Sequence, residues 1–254
     1  MIAEKYHILD TPISAVNLDL AAQIIDEWIQ QRQRRYVCIA PVSTVISYQD
    51  DPEYRRVIDA ADMVTPDGMP VVWLGRAQGY RQVSRTYGPD LLPLLCERGQ
   101  TRGYRHYFYG GSESTCQRLE SNLRHRYPGI RIAGMHSPPF RTLSPGEHQV
   151  DLERINAAQA DILWVGLGSP KQDFWVAQNR DKLNTPVLIA VGAAFDFQAG
   201  TKQQAPAWIR HSGLEWLFRL CHEPRRLWRR YLIGNPRFIF LLAKHCLMNK
   251  RERD

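Results

Sequence analysis

The sequence predicts an α/β protein: a parallel sheet with helices on both faces, followed by a basic helical C-terminal appendage. Three observations lead there. Short apolar runs such as YVCIA, ADILWVGLG and PVLIAVGAAF carry no polar alternation, which is the pattern of strands buried on both faces. Segments with helical spacing separate these runs, the βαβ rhythm of a parallel sheet. After Gly200 the texture changes to arginines and aromatics divided by prolines. The expected division is therefore a core over residues 1–200 and an appendage over 201–254.

Taken in order, YVCIA (36–40) reads as a buried strand, and VSTVISYQ and PEYRRVIDA as helical segments after it. ADMVT gives a second strand, followed by the helically spaced MPVVWLGRAQG and PDLLPLLCERG. The next unit is the most legible. A strand over 104–109 runs into Gly110 and Gly111, Ser112 has the type and place of an N-cap, and a helix continues to about Tyr127. Pro128 and Gly129 stop it, and IRIAG is the next strand. Residues 145–159 have helical spacing, ADILWVGLG is a strand, KQDFWVAQNRDKL a helix and PVLIAVGAAF the last strand. In the appendage, Pro206, Pro224 and Pro236 divide two or three expected short helices. No element is assigned before Tyr36.

With 44% hydrophobic and 23% charged residues, the 254-residue chain has the composition of a folded globular protein. Cys38, Cys96, Cys116, Cys221 and Cys246 are dispersed with no C-x-x-C pair. That argues against a disulfide framework or structural zinc and for a reducing compartment. The first residues are charged, and no apolar run approaches about 18 residues, so neither a signal peptide nor a transmembrane helix is expected. The charge is uneven. Residues 201–254 hold 12 of the 33 basic and 4 of the 26 acidic side chains, a net of +8; residues 1–200 hold 21 and 22, a net of −1. A neutral body with a basic tail calls for an anionic partner at the tail.

Ligands on a parallel sheet bind at the carboxyl ends of the strands. Asp67, Gly110, Gly111, Gly166, Gly168, Gly192 and Asp196 all fall at such ends. In ADMVTPDGMP, Pro66 cannot donate a ladder hydrogen bond and Gly68 admits unusual backbone angles, so Asp67 stands on a tight bend. Turn chemistry alone accounts for an aspartate there. Its company at the other strand ends gives it a ligand to face.

GLGSPKQD (166–173) joins a strand to a helix. Gly166 and Gly168 let backbone approach a ligand, Lys171 and the helix start offer positive charge to an anion, and Gln172 places an amide in the first turn. The third glycine of a dinucleotide fingerprint and the G-K-[ST] of a Walker loop are missing. YGGSES (109–114) has the same shape without a cation and reads as scaffold.

No D-x-D pair occurs and the eight histidines lack ligand spacing, so no metal is expected. Charge on a departing diphosphate would instead be met by arginine forks, from Arg210, Arg219, Arg225, Arg226, Arg229 and Arg230. The interleaved Trp208, Trp216, Phe218, Trp228 and Tyr231 fit an interfacial helix on anionic lipid, or stacking on RNA. From these residues alone, a nucleotide-binding oxidoreductase and a non-enzymatic RNA- or membrane-binding adaptor stay open.

Six ordered blocks, PDGMPVVW, SRTYGPDL, FYGGSES, GLGSPKQDFW, VGAAFDFQAGTKQQAPAW and GLEWLFRLCHEPRRLWRRYL, resemble the WecG/TagA/CpsF family of bacterial glycosyltransferases across roughly residues 36–235. The resemblance implies a Rossmann-like core whose basic appendage completes the site at the cytoplasmic face of the membrane. It implies inverting transfer of a hexose, N-acetylmannosamine, its uronic acid or glucose, from a UDP-sugar to a sugar on undecaprenyl diphosphate. Exopolysaccharide or cell-wall assembly is the implied context. No cofactor, metal or nucleic acid is implied, and self-association of the core is. Carried over by position, the general base falls on Asp67, the pocket arginine on Arg85 and the glutamine of the PKQ block on Gln172. The diphosphate-binding arginines fall within Arg219, Arg225, Arg226, Arg229 and Arg230. The family's T-x-N segment is replaced by Ile39, Ala40 and Pro41, so its polar contacts are either absent or taken over by Ser43 and Thr44, which puts sugar choice in question.

Overall fold

A computed structural model of the chain describes residues 2–251, without the side chains of Ala207, His211, Asn249, Lys250 and Arg251. Met1 and residues 252–254, the two ends of the expected divisions, lie outside the described residues. The chain opens with a hairpin, β1 (Lys5–Ile8) and β2 (Thr11–Ser14), and helix α1 (Leu18–Gln30). Then come β3 (Arg35–Ala40), α2 (Val42–Asp50), α3 (Pro52–Asp59), β4 (Met63–Pro66), α4 (Met69–Ala77) and α5 (Gly88–Arg102). β5 (Arg105–Gly110), α6 (Glu113–Arg126), β6 (Arg131–His136), α7 (Pro145–Ala157), β7 (Ile162–Gly166) and α8 (Lys171–Asn179) follow. β8 (Val187–Ala190) and α9 (Ala194–Gln198) end the core.

β4-β3-β8-β7-β5-β6 is the order of a six-stranded sheet in which every pair is parallel. Alternate side chains of each strand enter two cores. Tyr36, Cys38 and Ala40 of β3 pack with α2, α3, α7, α8 and the hairpin, whereas Val37 and Ile39 pack with α1, α5 and α9 on the other face. Both faces are covered, which is why the strands read as unbroken apolar runs. The chain leaves β3 through α2 on one face and leaves β8 through α9 on the other. Connections that part in this way open a crevice between the two strand ends.

Several boundaries differ from the expectation. β1, β2 and α1 precede the first expected strand, although α1 carries an N-cap, Asn17, whose side chain accepts from the Leu20 N–H. Its apolar Ala21, Ile24, Ile25, Trp28 and Ile29 recur at helical spacing. PVLIAVGAAF is strand only to Ala190; Gly192 turns at φ +59°, and Ala194 and Phe195 already belong to α9. KQDFWVAQNRDKL ends α8 at Asn179 and finishes in a 3-10 turn.

The appendage holds α10 (Ala207–Ser212), α11 (Glu215–His222) and α12 (Pro224–Trp228), then a π turn over Arg229–Ile233. An 18-residue helix, α13 (Gly234–Arg251), follows where only short helices were expected. Pro236 does not divide it: the π turn over Arg229–Ile233 runs straight into α13 and widens the ladder just before the proline ring. Phe238, 4% exposed, enters the core that α2 shares, with Leu241 and Leu242 packed beside it, and Arg237 forms an ion pair with Asp50. The segment after α9 thus crosses the strand ends and is clamped back on α2.

Candidate active site

Asp67 follows β4, where its N–H donates to Ala40 O of β3 at 3.1 Å and the Thr86 N–H donates to Pro66 O at 2.8 Å. These bonds carry the sheet register one residue past the strand. Gly68 then turns at φ +85°, a conformation a side chain would strain, and caps α4. The Asp67 side chain, 18% exposed, is left at the mouth of the crevice rather than in the core.

Arg85 links this carboxylate to the appendage. Its Nε donates to Asp67 Oδ1 at 3.3 Å, its Nη2 lies 2.6 Å from Glu215 Oε2 at the start of α11, and its guanidinium carbon sits 3.5 Å from the centre of the Tyr87 ring. Burial works against the Arg85 charge, but the two carboxylates outweigh it and hold its pKa above the ordinary value. Burial pushes the Glu215 carboxyl up, with Arg85 opposing and Asp67 adding to the shift.

The floor of the crevice is fixed by α8. Gln172, 3% exposed, accepts at one Oε1 from both the Gly168 N–H (3.1 Å) and the Gly192 N–H (2.9 Å), so it joins the loops after β7 and β8. Asp173 lies beneath. Its Oδ2 accepts from Tyr54 at 2.9 Å and Ser169 at 2.8 Å, and its Oδ1 has no partner. Burial pushes its carboxyl up to about 6, against the opposing hydrogen bonds from Ser169 and Tyr54 and the charge of Arg230.

Two adjoining chambers occupy the crevice. The sheet-end chamber, about 340 Å³, is bounded by the ends of β3, β7 and β8 with Tyr87, Gln172, Phe197 and Arg226. The appendage chamber, about 90 Å³, lies between the starts of α2 and α4 and the helices α10, α11 and α13. Only the sheet-end chamber has the size of a small-molecule site. Pro41, Asp67, Arg219 and Arg230 line both. Among the described residues neither Arg219 nor Arg230 has a carboxylate partner in an ion pair; Arg219 lies 6.0 Å from the Phe197 ring centre, and burial lowers the pKa of Arg230.

The expected residues separate accordingly. Asp67, Arg219 and Arg230 meet in the shared wall; Arg85 and Ser43 line the appendage chamber; Gly168, Gln172 and Arg226 line the sheet-end chamber. Arg226 is also paired with Glu223, which Lys202 in turn joins to Asp196 at 3.1 Å and 3.0 Å. Lys171, Arg225 and Arg229 are exposed and line neither chamber; Arg229 lies 5.3 Å from the Trp228 ring centre. Thr44 is buried against Tyr54 at 3.4 Å, and a Cβ on Gly166 would strike Phe195 at 2.7 Å, so both serve packing. Glu215 and Tyr87 were not among the expected residues, and Trp216 was expected at a lipid or RNA surface rather than in a chamber wall. The signal for Glu215 was there: a single acid opening an arginine-rich block.

A strand-end carboxylate between two chambers, with unpaired arginines beside it, is suited to moving a proton while an anion departs. The Glycosyl transferase WecG/TagA/CpsF family model matches residues 6–252, almost the whole chain. The chain belongs to this family. It is a glycosyltransferase, and the match takes in the hairpin and α13 as well as the six blocks. A curated relative from Bacillus spizizenii is 27% identical over 218 residues, 86% of this chain and 82% of its own. That relative is an N-acetylglucosaminyldiphosphoundecaprenol N-acetyl-beta-D-mannosaminyltransferase.

Proposed function

We propose that this glycosyltransferase moves a hexose, N-acetylmannosamine or a close relative, from a UDP-sugar to a sugar carried on undecaprenyl diphosphate, with inversion at the anomeric carbon. The activity of the Bacillus spizizenii relative supports the acceptor class. The observation that carries the proposal is the position of Asp67 in the wall common to both chambers, flanked by Arg219 and Arg230.

In the proposed reaction the UDP-sugar lies in the sheet-end chamber. The acceptor hydroxyl oxygen attacks the anomeric carbon and gives its proton to Asp67. The bond from that carbon to the diphosphate oxygen breaks, and its electron pair leaves with UDP. Arg219, Arg226 and Arg230 meet the charge that develops there. The planar guanidinium forks suit this task because they meet phosphate oxygens in pairs.

Residues 201–254 then act as a docking segment as well as a wall. No described helix is long and apolar enough to cross a membrane. Trp228, Leu232, Ile233, Ile239, Phe240, Leu247 and Met248 are exposed on α12, the π turn and α13, and the segment is basic, which supports peripheral binding to anionic lipid at the inner face. Self-association of the core remains part of the same proposal. Product formation from UDP-N-acetylmannosamine and a short-chain prenyl-diphosphate N-acetylglucosamine tests the reaction. Absence of transfer from any UDP-hexose would overturn it.

A further inference from the structure

A further polar cavity lies at the end of the sheet opposite the crevice, where β5, β7 and β8 begin. Its volume is about 350 Å³, enough for a small molecule. Apart from Ala160 its lining is polar, and none of its residues lines either chamber of the crevice. Two of its side chains stand where the backbone favours glycine. Arg32 and Gln159 follow the C-caps of α1 and α7, with left-handed φ angles of +52° and +48°. Glycine is the common residue at such a helix exit, and a side chain there adds strain of about 1 kcal/mol. Both strained residues face the same ligand-sized space, the kind of place where strain accompanies function.

The rest of the wall is held in position. Arg32 Nη1 donates to Asp161 Oδ1 at 3.2 Å, the Arg105 N–H donates to Asp161 Oδ2 at 2.8 Å, and Arg105 Nη2 donates to Ala158 O at 2.6 Å. Buried Arg180 fixes the facing loop through Leu183 O at 2.8 Å and Thr185 O at 2.5 Å, and Asn156 Oδ1 accepts from the Asn184 N–H at 2.8 Å. The groups left without a partner among the described residues are Arg32 Nη2, Arg105 Nη1, Asn184 Nδ2 and the Gln159 amide, nearly all donors. The hydroxyl of Thr185, 2% exposed, is unmatched too, and buried polar groups in native proteins are ordinarily matched. Two guanidiniums against one carboxylate leave the lining net positive.

Guanidinium donors select an oxyanion, and carboxamides beside them pair with hydroxyls. We propose that this cavity is a second ligand site, separate from the site of transfer, for a small phosphorylated sugar. Its phosphate meets Arg32 and Arg105, and its hydroxyls meet Gln159 and Asn184. The six residues of β5 run from Arg105 at this cavity to Gly110 at the crevice end of the sheet, about 20 Å away. A ligand here and a nucleotide in the crevice can therefore be bound at once, and the site does not depend on the reaction proposed above.

Calorimetric titration of the full chain with glucose 1-phosphate, inorganic phosphate and glucose, with and without excess UDP, tests this. Glucose 1-phosphate is expected to bind in the presence of UDP, more tightly than phosphate, while glucose gives no measurable heat. Arg32→Gly removes a guanidinium and relieves the left-handed strain. It should weaken glucose 1-phosphate about tenfold, as loss of a charged hydrogen bond predicts, while Tm holds or rises. Gln159→Gly should also hold or raise Tm, and should bring the affinity for glucose 1-phosphate down to that for phosphate. UDP affinity should stay within about twofold of wild type in both variants, because neither residue lines the crevice. Absence of saturable binding, displacement of glucose 1-phosphate by UDP, equal affinity for phosphate, or unchanged affinity in Arg32→Gly would each overturn the proposal.

Discussion

Arg85 stands between two carboxylates of different origin, 3.3 Å from Asp67 Oδ1 in the core and 2.6 Å from Glu215 Oε2 in the appendage. The contact that docks the appendage is therefore also the contact that orients the proposed base. Glu215→Gln should loosen both. Removing one partner of a partly buried pair costs about 2 kcal/mol, and the expected outcome is a lower Tm with a turnover loss larger than any loss of UDP affinity. Equal Tm and equal kcat would show that the pair is idle.

Asp67→Asn keeps the shape of the bend and removes the proton acceptor. A positioned general base contributes about 10²–10⁴-fold, so kcat should drop by that factor while the UDP dissociation constant stays close to wild type. Near-normal turnover would return Asp67 to the ordinary role of an aspartate in a turn.

Phe238 is buried in the core that α2 shares, and α13 holds the far end of the appendage by it. Phe238→Ala should cost about 3 kcal/mol, seen as a fall in denaturant midpoint. Removal of residues from Pro206 onward should likewise lower stability and leave a folded core without transfer activity, because two walls of the appendage chamber go with it. An active truncation would detach the appendage from the mechanism.

Asp173 makes stability depend on pH in a stated direction. Burial raises its folded-state pKa from 3.8 to about 6, so between those values the native state holds a proton that the unfolded chain has lost. Its contribution is complete below about pH 4 and is lost as pH rises through about 6, a change on the order of 3 kcal/mol. Asp173→Asn cannot titrate. The difference in unfolding free energy between wild type and this variant should therefore shift toward the variant from pH 4 to pH 7. A constant difference would show that Asp173 ionises like an exposed aspartate.

Much of the sheet was legible because its strands are covered on both faces and lack polar alternation. The Gly110–Gly111 turn and Ser112 cap were legible because glycine and a capping serine act locally; Ser112 does accept from the Thr115 N–H. The hairpin was not, since its two strands are four residues each and stand by packing on β4, α2, α3 and α4, elements distant in sequence. The site divides along the same line. Asp67 could be found from Pro66 and Gly68, whose constraints are local. Which arginines face a cavity could not, because Arg219, Arg225, Arg226, Arg229 and Arg230 are alike in sequence and are sorted only by how α11, α12 and the π turn lie over the strand ends.

One oxygen of Gln172 receives amide hydrogens from two successive crossovers, at Gly168 and Gly192. The pair of loops it ties cannot drift apart without breaking both bonds, so they behave as a single rigid shelf. The nucleotide proposed to settle on that shelf would meet a surface already at its final spacing. Whatever rearrangement accompanies a catalytic cycle must then be sought above the shelf, in the last fifty or so residues of the chain.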